Sequence, residues 1–574
     1  MKLLLVGTCQ MDPLVDACRE AGISADHALM GFKKHDVFRT PGPSETYSAC
    51  VLGFALRYAI EEASEINNEL IFWRLDSTGK DNLKTRLLNL LELKITEANS
   101  ALRSTPVIVL SFIEPSRCYV GDFLQHDVEY DFSEFVHQLN IGIAEITRRL
   151  PNTFYVDVNP SIEAIGRLGA QSDALSASTH ASFIGDWDYD SDSKRIVEPV
   201  RPSAHFDTSD RAFRYGQHLL RRITNSIKSF EGQTVKLIIV DLDDTLWRGI
   251  AAEDDYDTVM RREGWPLGFV EALLVFKARG GLLAICSKNE HDETLRRFKK
   301  IWGNVISVDD FISVKISWRP KSETISEILI EANLLPENVV YVDDNPREID
   351  EVLSRFGNLR TLGFNHYAWR SSILFDSAFL TPRITDESKR RTSLLKNKIE
   401  RDASANTGNR EDWLLSLSLT QRIEPLLETH TPQFTRALEL LNKTNQFNTT
   451  GRRWTEAEIN DFISTGGHLL ATWLRDRNGD NGLIGLALIK ENIIVQIVLS
   501  CRVFGLDVEI NLVRSACQRI LRSFDLALGV ISDTEKNFAS RDIFIRCGFE
   551  LQDNGLYAST SPASAPRWIN LTES

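Results

Sequence analysis

The chain has 574 residues, 43% of them hydrophobic and 25% charged, which is typical of a globular protein of roughly three or four domains. A formal net charge of −14 at pH 7, without a long run of Lys or Arg, argues against a nucleic-acid partner. No stretch approaches the roughly 18 consecutive apolar residues of a membrane span. Eight scattered cysteines, with neither CxxC pairs nor zinc spacing, predict reduced thiols and a cytoplasmic location.

The first 230 residues alternate strand-like apolar runs with helical segments. The runs KLLLVG, ELIFWRL, TPVIVLSFI and TFYVDV are predicted as strands, and residues 132–149 and 209–230 as helices. Strands separated by helices form parallel sheets, so residues 1–230 are predicted to be an α/β domain. The N-terminal run is too short for a signal peptide and is predicted as the first strand.

Two further domains are predicted after it. Residues 235–383 alternate strands such as KLIIVD, GLLAICS and NVVYVDD with helices, which predicts a second parallel sheet. The charged segment 384–408 is predicted to be a solvated helix and linker. Residues 409–574 mix strands such as GLIGLALIK with helices and are predicted to be α+β. The predicted fold class is a multidomain α/β protein with a central Rossmann-like domain.

The stretch KLIIVDLDDTLWRG places Asp241, Asp243 and Asp244 directly after an apolar strand. Carboxylates this close repel one another, and burying each would cost several kcal/mol unless a cation or a proton offsets the charge. A positive group is therefore predicted beside them.

Three later segments of the same domain carry polar residues at matching places. Ser287 ends the run LLAICS, Lys321 lies at a predicted helix start, and Asp343 and Asp344 end the run VVYV. The carboxyl ends of parallel strands lie at one edge of a sheet, where such folds bind their ligands. The four segments are therefore predicted to meet there.

These four segments resemble the motifs of the haloacid dehalogenase superfamily. The resemblance implies that Asp241 is a nucleophile that forms an aspartyl phosphate and that Asp243 is the general acid and then base. It also implies that Ser287 and Lys321 hold the phosphoryl oxygens. A decayed phosphatase fold kept for packing is the alternative, but no member of the set is missing.

The resemblance also implies a Mg²⁺ cofactor. Carboxylate and backbone oxygens suit this hard cation, and the implied ligands are Asp241, the backbone carbonyl of Asp243, and Asp343. Asp344 and Asn345 are expected to contact these ligand residues without binding the metal themselves.

Several neighbouring residues are predicted to contact the substrate, namely Thr245, Arg248, Lys288 and Asn289. Arg248 could bind an additional phosphate or carboxylate, or pair with a following aspartate. Asp244 is expected to cap the turn after the strand.

A narrower resemblance is to the FkbH-like subfamily, carried by DLDDTLWRG, AICSKNE, NKTNQFN and SCRVFG. Its members transfer a glyceryl unit from a glycolytic acyl phosphate such as 1,3-bisphosphoglycerate to an acyl carrier protein in polyketide biosynthesis. The 40 residues of 246–285 leave no room for a large cap domain, which favours a bulky or protein-tethered substrate. A plain phosphatase, or a carrier-docking protein with a vestigial site, is the alternative.

Residues 409–574 resemble a GNAT-type acyltransferase fold through SRDIFIRCGFE. Asp507 stands in the turn that would cradle a pyrophosphate, so a docking or acyl-handling role is favoured over acetyl-CoA binding. Cys501, with Arg502 beside it to lower its thiol pKa, is a candidate for a glyceryl thioester; a buried free cysteine is the alternative. Cys286 is predicted to face the core because Ser287 faces the site.

The N-terminal run KLLLVGTCQ loosely resembles the nucleophile turn of SGNH esterases, with Cys9 in the serine position. The DxxH of such enzymes is missing, because Pro202 stands where the Asp would precede His205. A nucleophile without a base is not activated, so a degenerate SGNH-like scaffold is expected.

Overall fold

The computed structural model describes residues 1–31, 36, 38, 46–64, 69–102, 105–115, 131–150, 152–167, 187–201, 204, 210–230, 234–250, 257–381, 384, 390–404, 409–427, 431–444 and 446–573. The chain divides into two compact units, Met1–Ile227 with Thr455–Glu458, and Lys228–Trp454 with Ile459–Ser574. Within the described ranges, no helix is both long and apolar enough to cross a bilayer.

The first unit contains a five-stranded parallel sheet in the order β2-β1-β3-β4-β5. Its strands are Lys2–Gly7 (β1), Ser24–Leu29 (β2), Ala49–Gly53 (β3), Val107–Leu110 (β4) and Thr153–Val156 (β5). Its helices are Asp12–Glu20, Leu56–Ser64, Ser77–Leu102, Phe132–Arg149, Asn159–Ile165, Trp187–Asp192 and Arg211–Phe230. The predicted α/β layer is therefore present.

The strand predicted at ELIFWRL is wrong, because Glu69–Arg74 forms a 3₁₀ helix. Phe72 packs its ring 5.3 Å and 5.0 Å from those of Phe132 and Phe135, whereas the neighbouring Trp73 is exposed. Periodicity does not separate strand from helix in a short apolar run, so the tertiary contacts of Phe72 decide.

The second unit begins with another five-stranded parallel sheet, in the order β10-β9-β6-β7-β8. Its strands are Leu237–Val240 (β6), Leu282–Ser287 (β7), Ser313–Ile316 (β8), Val339–Val342 (β9) and Arg360–Leu362 (β10). Its helices are Thr258–Arg262, Trp265–Ala278, His291–Trp302, Lys321–Ala332, Pro346–Arg355 and His366–Phe375. Strands β6, β7 and β9 are completely buried, as the inner strands of a parallel sheet require.

Helix Arg391–Ser404 differs from the solvated linker that the sequence predicts. Leu395 packs into the core of the β6–β10 sheet together with Ile399. At its other end, Arg401 is 1% exposed and pairs with Asp476 of the next sheet at 2.7 Å. The helix is therefore shared by two sheets of the second unit.

The last sheet has eight mostly antiparallel strands in the order β16-β17-β15-β14-β13-β12-β11-β18. They are Leu419–Pro425 (β11), Gly467–Asp476 (β12), Gly479–Lys490 (β13), Ile493–Leu499 (β14), Ala527–Gly529 (β15), Glu550–Leu551 (β16), Tyr557–Ser559 (β17) and Ile569–Glu573 (β18). The accompanying helices are Arg410–Ser416, Pro432–Lys443, Glu456–Ser464, Val508–Ile520 and Ile543–Arg546. This is the predicted α+β arrangement; its acyltransferase-type identity stays a prediction.

Strands β14 and β15 pair over only two residues, and the chain segment 447–449 occupies the edge of β14 beyond them. Leu499 N donates to the Phe447 carbonyl and Thr449 N to the Ile497 carbonyl, both at 3.0 Å. Asn448 is completely buried and accepts a hydrogen bond from Gln496 Nε2 at 2.7 Å. The NKTNQFN stretch therefore fills a gap in this sheet instead of presenting Asn448 to solvent.

Candidate active site

The four predicted segments do meet at the edge where strands β6, β7 and β9 end. Asp241 follows β6, Ser287 ends β7, Asp343 follows β9, and Lys321 opens helix Lys321–Ala332. The Lys321 ammonium lies 3.0 Å from Asp241 Oδ1 and 2.6 Å from Asp343 Oδ2. All four side chains are buried. The result is a compact set of two carboxylates, one ammonium and one hydroxyl.

The charges of this set are unbalanced. Burial opposes the charge of Lys321, but attraction to Asp241 and Asp343 outweighs it and raises the pKa of Lys321. Burial also raises the pKa of Asp241 to about 7; Lys321 opposes this rise, whereas Asp343 adds to it. One lysine therefore leaves negative charge that a further cation would neutralise.

The carboxylates form a site suited to a metal ion. One oxygen each from Asp241, Asp343 and Asp344 lies within 4.8 Å of the others. Among the described residues, the buried Asp241 Oδ1 has no hydrogen-bond donor by geometry other than Lys321 Nζ at 3.0 Å, so it can still act as a metal ligand. Three carboxylates suit a hard divalent cation such as Mg²⁺. Asp344, which the sequence predicts to support the ligands, is thus also a member of this carboxylate cluster.

Asp243 is held by hydrogen bonds to both carboxylate oxygens. Trp247 Nε1 donates to Oδ1 at 2.9 Å, and Asn289 Nδ2 donates to Oδ2 at 3.0 Å. The same Asn289 nitrogen lies 3.1 Å from Ser287 Oγ. Asn289 therefore joins two of the predicted catalytic side chains.

Two supporting residues lie where the sequence places them. The backbone N–H of Asn345 donates to Asp343 Oδ1 at 2.8 Å. Asp244 Oδ1 accepts from Gly249 N at 2.7 Å, so Asp244 caps its turn, with a positive φ of 47°.

Three residues predicted to contact the substrate form hydrogen bonds or ion pairs within the chain. Thr245 is completely buried and exchanges hydrogen bonds with Asp344 at 3.2 Å. Lys288 forms an ion pair with Glu348 at 2.8 Å, and Arg248 donates to the Met260 carbonyl at 3.3 Å. A substrate contact of these three residues stays a prediction.

Tyr341 is a site residue that the sequence analysis missed. Its hydroxyl donates a hydrogen bond to Asp343 Oδ2, and its side chain is completely buried. Side chains two apart on a strand share a face, so this alternation could have identified Tyr341.

Cys501 is not part of this site. It lines a cavity together with Lys236, which precedes β6, whereas Asp241 follows β6. Five residue steps along a strand span about 16 Å, so Cys501 lies at the opposite edge of the sheet. The Arg502 guanidinium donates to the Asn481 carbonyl at 3.1 Å.

Ion pairs with two arginines hold the carboxylate of Asp507 in its turn. Asp507 has a φ of 64° before helix Val508–Ile520, and its carboxylate lies 2.8 Å from Arg410 and 2.9 Å from Arg546. The expected carboxylate therefore stands in this turn, neutralised by two arginines.

The other two cysteines considered in the sequence, Cys286 and Cys9, lie in different domains. Cys286 is buried in the core, and its Sγ atom lies 4.0 Å from the Lys321 carbonyl oxygen, so it adjoins the site. Cys9 follows β1 and is exposed at the start of a 3₁₀ helix. Pro202 and His205 lie outside the described residues, so the SGNH-like scaffold stays a prediction.

No family model and no curated protein matches the chain. Among solved structures, it is similar to the N-terminal part of BF1531 from Bacteroides fragilis, which contains a phosphatase domain and is complexed with Mg. That likeness has 16% identity and a TM-score of 0.42 and covers 66% of this chain and 95% of the other. UDP-GlcNAc 2-epimerase from Neisseria meningitidis matches at 9% identity and a TM-score of 0.14, over 71% of this chain and 100% of that one. Likenesses this weak carry no argument about this chain.

Proposed function

We propose that the second unit is a Mg²⁺-dependent phosphatase of the haloacid dehalogenase type. The observation that carries the proposal is the buried set in which Lys321 bridges Asp241 and Asp343 at 3.0 Å and 2.6 Å, at the edge where the strands end. A nucleophilic carboxylate, a fixed cation and a carboxylate cluster for a metal are the parts that phosphoryl transfer requires.

In the proposed reaction, Asp241 attacks the phosphorus atom of a phosphate ester and forms an aspartyl phosphate. Asp243 gives a proton to the departing oxygen and then takes one from the water that hydrolyses the intermediate. Ser287 and Lys321 hold phosphoryl oxygens as their charge develops. Mg²⁺ held by Asp241, Asp343 and Asp344 would neutralise phosphoryl charge.

Hydrolysis of p-nitrophenyl phosphate tests this proposal. We expect turnover that requires Mg²⁺, is lost in EDTA, and falls at least about a thousandfold in Asp241→Asn because the nucleophile is gone. Asp244→Asn is the matched control, since an amide oxygen can still accept from Gly249 N. Equal turnover of Asp241→Asn and the parent enzyme would refute the mechanism.

We further propose that the natural substrate is an acyl phosphate such as 1,3-bisphosphoglycerate and that an acyl carrier protein receives the glyceryl unit. The FkbH-like motifs support this proposal, and so do exposed aromatic side chains beside the site. Trp318 follows β8 and is 75% exposed, while Phe364 and Tyr367 follow β10 and are 80% and 81% exposed. Exposed aromatic side chains are typical of protein interfaces.

In the proposed transfer, the carrier thiol attacks the acyl carbon, a C–S bond forms, and the C–O bond to phosphate breaks. The remaining phosphate ester is then hydrolysed at Asp241. Because Cys501 lies at the opposite edge of the sheet, this transfer is direct, without a thioester on Cys501.

Mass spectrometry of holo carrier proteins incubated with enzyme and 1,3-bisphosphoglycerate tests the transfer. We expect a glyceryl mass gain on the carrier arm that is unchanged by Cys501→Ala and lost in Phe364→Ser with Tyr367→Ser. That double variant should still hydrolyse p-nitrophenyl phosphate. Loss of loading in Cys501→Ala, with phosphatase activity intact, would instead establish the thioester route.

A further inference from the structure

A cavity of about 170 Å³ lies at the edge where β6 and β7 begin, between this sheet and the eight-stranded sheet. Gly280 and Gly281 line one side, and Ser500 and Cys501 line the other. A cavity of this size has room for on the order of ten water molecules. It is therefore large enough for a small ligand.

The lining of this cavity, named here the arginine cavity, is strongly cationic. Its basic side chains are Lys236, Arg279, Arg391, Arg436 and Arg502. Glu439 is the acidic side chain of the lining, and it pairs with Arg436 at 2.7 Å. The cavity therefore has a large excess of positive charge.

The guanidinium groups of Arg279 and Arg391 form their hydrogen bonds with backbone carbonyls. Arg279 donates to the Leu374 carbonyl at 3.1 Å, and Arg391 to the Gly280 carbonyl at 3.2 Å. In the described part of the chain, neither forms an ion pair with a carboxylate. Burial lowers the pKa of both guanidinium groups. Both side chains are half-buried, and a partly desolvated cation without a carboxylate in direct contact is costly, a cost that a bound anion would reduce.

The remaining walls are partly apolar. Phe276 lines the cavity from the β6–β10 sheet, and Leu440, Leu499 and Phe504 line it from the other side. An inorganic ion would leave this apolar surface facing water, whereas an organic body would cover it. The lining thus favours an anion that carries an apolar group.

We propose that the arginine cavity binds a small organic anion, with its phosphate or carboxylate group against Arg279 and Arg391 and its apolar body against Phe276 and Phe504. Arginine forks match both kinds of oxyanion. This site lies at the opposite edge of the sheet from Asp241, so its ligand does not compete with the phosphatase substrate. The proposal does not depend on the proposed function.

Cys501 supplies a local reporter, because its partly exposed thiol lines the cavity and interacts electrostatically with Arg391. The probe is phenylphosphonate, and the measurement is the rate at which iodoacetamide alkylates Cys501 in the full chain, followed by peptide mass spectrometry. Saturating probe should slow this rate about tenfold, because a bound ligand covers the thiol. Inorganic phosphate at equal ionic strength should protect less. Alkylation of the exposed Cys9 should not change.

Substitutions identify the anion-binding groups. Arg279→Gln and Arg391→Gln should each abolish most of the protection, whereas Arg522→Gln, at an exposed arginine outside the cavity, should leave it intact. If the parent Cys501 resists alkylation, slower hydrogen exchange at Ser500–Gly505 with phenylphosphonate takes its place. The proposal would be overturned if phenylphosphonate changed neither alkylation nor hydrogen exchange, or if both arginine variants kept full protection. Equal protection by inorganic phosphate would refute the inference that the ligand is organic.

Discussion

Asn289 is a neutral side chain that contacts two side chains of the candidate site, Asp243 and Ser287. Its Nδ2 atom lies 3.0 Å from Asp243 Oδ2 and 3.1 Å from Ser287 Oγ, at the end of β7. A general acid works only when its proton is aimed at the leaving oxygen. We infer that Asn289 is a positioning residue for Asp243, in addition to the substrate contact predicted for it.

We predict that Asn289→Ala lowers kcat for p-nitrophenyl phosphate by about tenfold to a hundredfold, because Asp243 loses the hydrogen bond that Asn289 donates to it. KM should change less than kcat, since Lys321 still binds the phosphoryl group. Steady-state kinetics measures both constants, and Asn365→Ala is the control, because Asn365 is exposed and its side chain does not cap the helix that it precedes. An unchanged kcat with a raised KM would show that Asn289 binds substrate directly.

The sequence predicts the positions of the motif side chains but not the directions of their neighbours. Asp241, Lys321 and Asp343 meet because strand order alone brings the ends of β6 and β9 together. Lys288 points to Glu348, 60 residues further along the chain, which no local pattern encodes. Residues set by topology are therefore predictable here, and residues set by long-range pairing are not.

At the scale of elements, helix Arg391–Ser404 shows how composition can mislead. Its many charged residues predict solvation, yet Arg401 and Lys398 are buried and paired with Asp476 and Asp402. Composition reports which side chains are charged, whereas burial depends on partners that lie on other elements. Asp476 stands 75 residues after Arg401.

We predict that Arg401→Ala lowers the free energy of unfolding of the second unit by about 3 kcal/mol, because it leaves the buried Asp476 without its cation. Urea titration measures the loss. Glu400→Ala, at an exposed position of the same helix, should cost less than about 0.5 kcal/mol. Equal effects of the two substitutions would show that this ion pair does not stabilise the fold.

At the scale of the whole molecule, the two sheets of the second unit are joined by this helix. Leu395 belongs to the core of the β6–β10 sheet, and Arg401 to the interface with the eight-stranded sheet. Contacts that cross a predicted domain boundary couple the stabilities of the two sides. We therefore expect the segments on the two sides of the boundaries predicted at 383 and 409 to unfold together.

We predict that Leu395→Ala destabilises both sheets, although the side chain touches only one core. The cavity should cost about 3 kcal/mol. Hydrogen exchange followed by mass spectrometry should show this loss in β6 and, to a similar extent, in β13. Ser393→Ala, at an exposed position of the helix, should change neither sheet. Faster exchange in β6 alone would mean that the sheets unfold separately.

The shared helix also bears on how such a chain can change in evolution. Recombination spreads domains most easily where a junction carries few contacts. A crossover at residue 383 would remove Leu395 and Ile399 from the β6–β10 core, and one after residue 404 would separate Arg401 from Asp476. Either recombinant chain would be less stable than the parent protein. The β6–β10 sheet and the eight-stranded sheet should therefore be inherited together, as one piece with the helix between them.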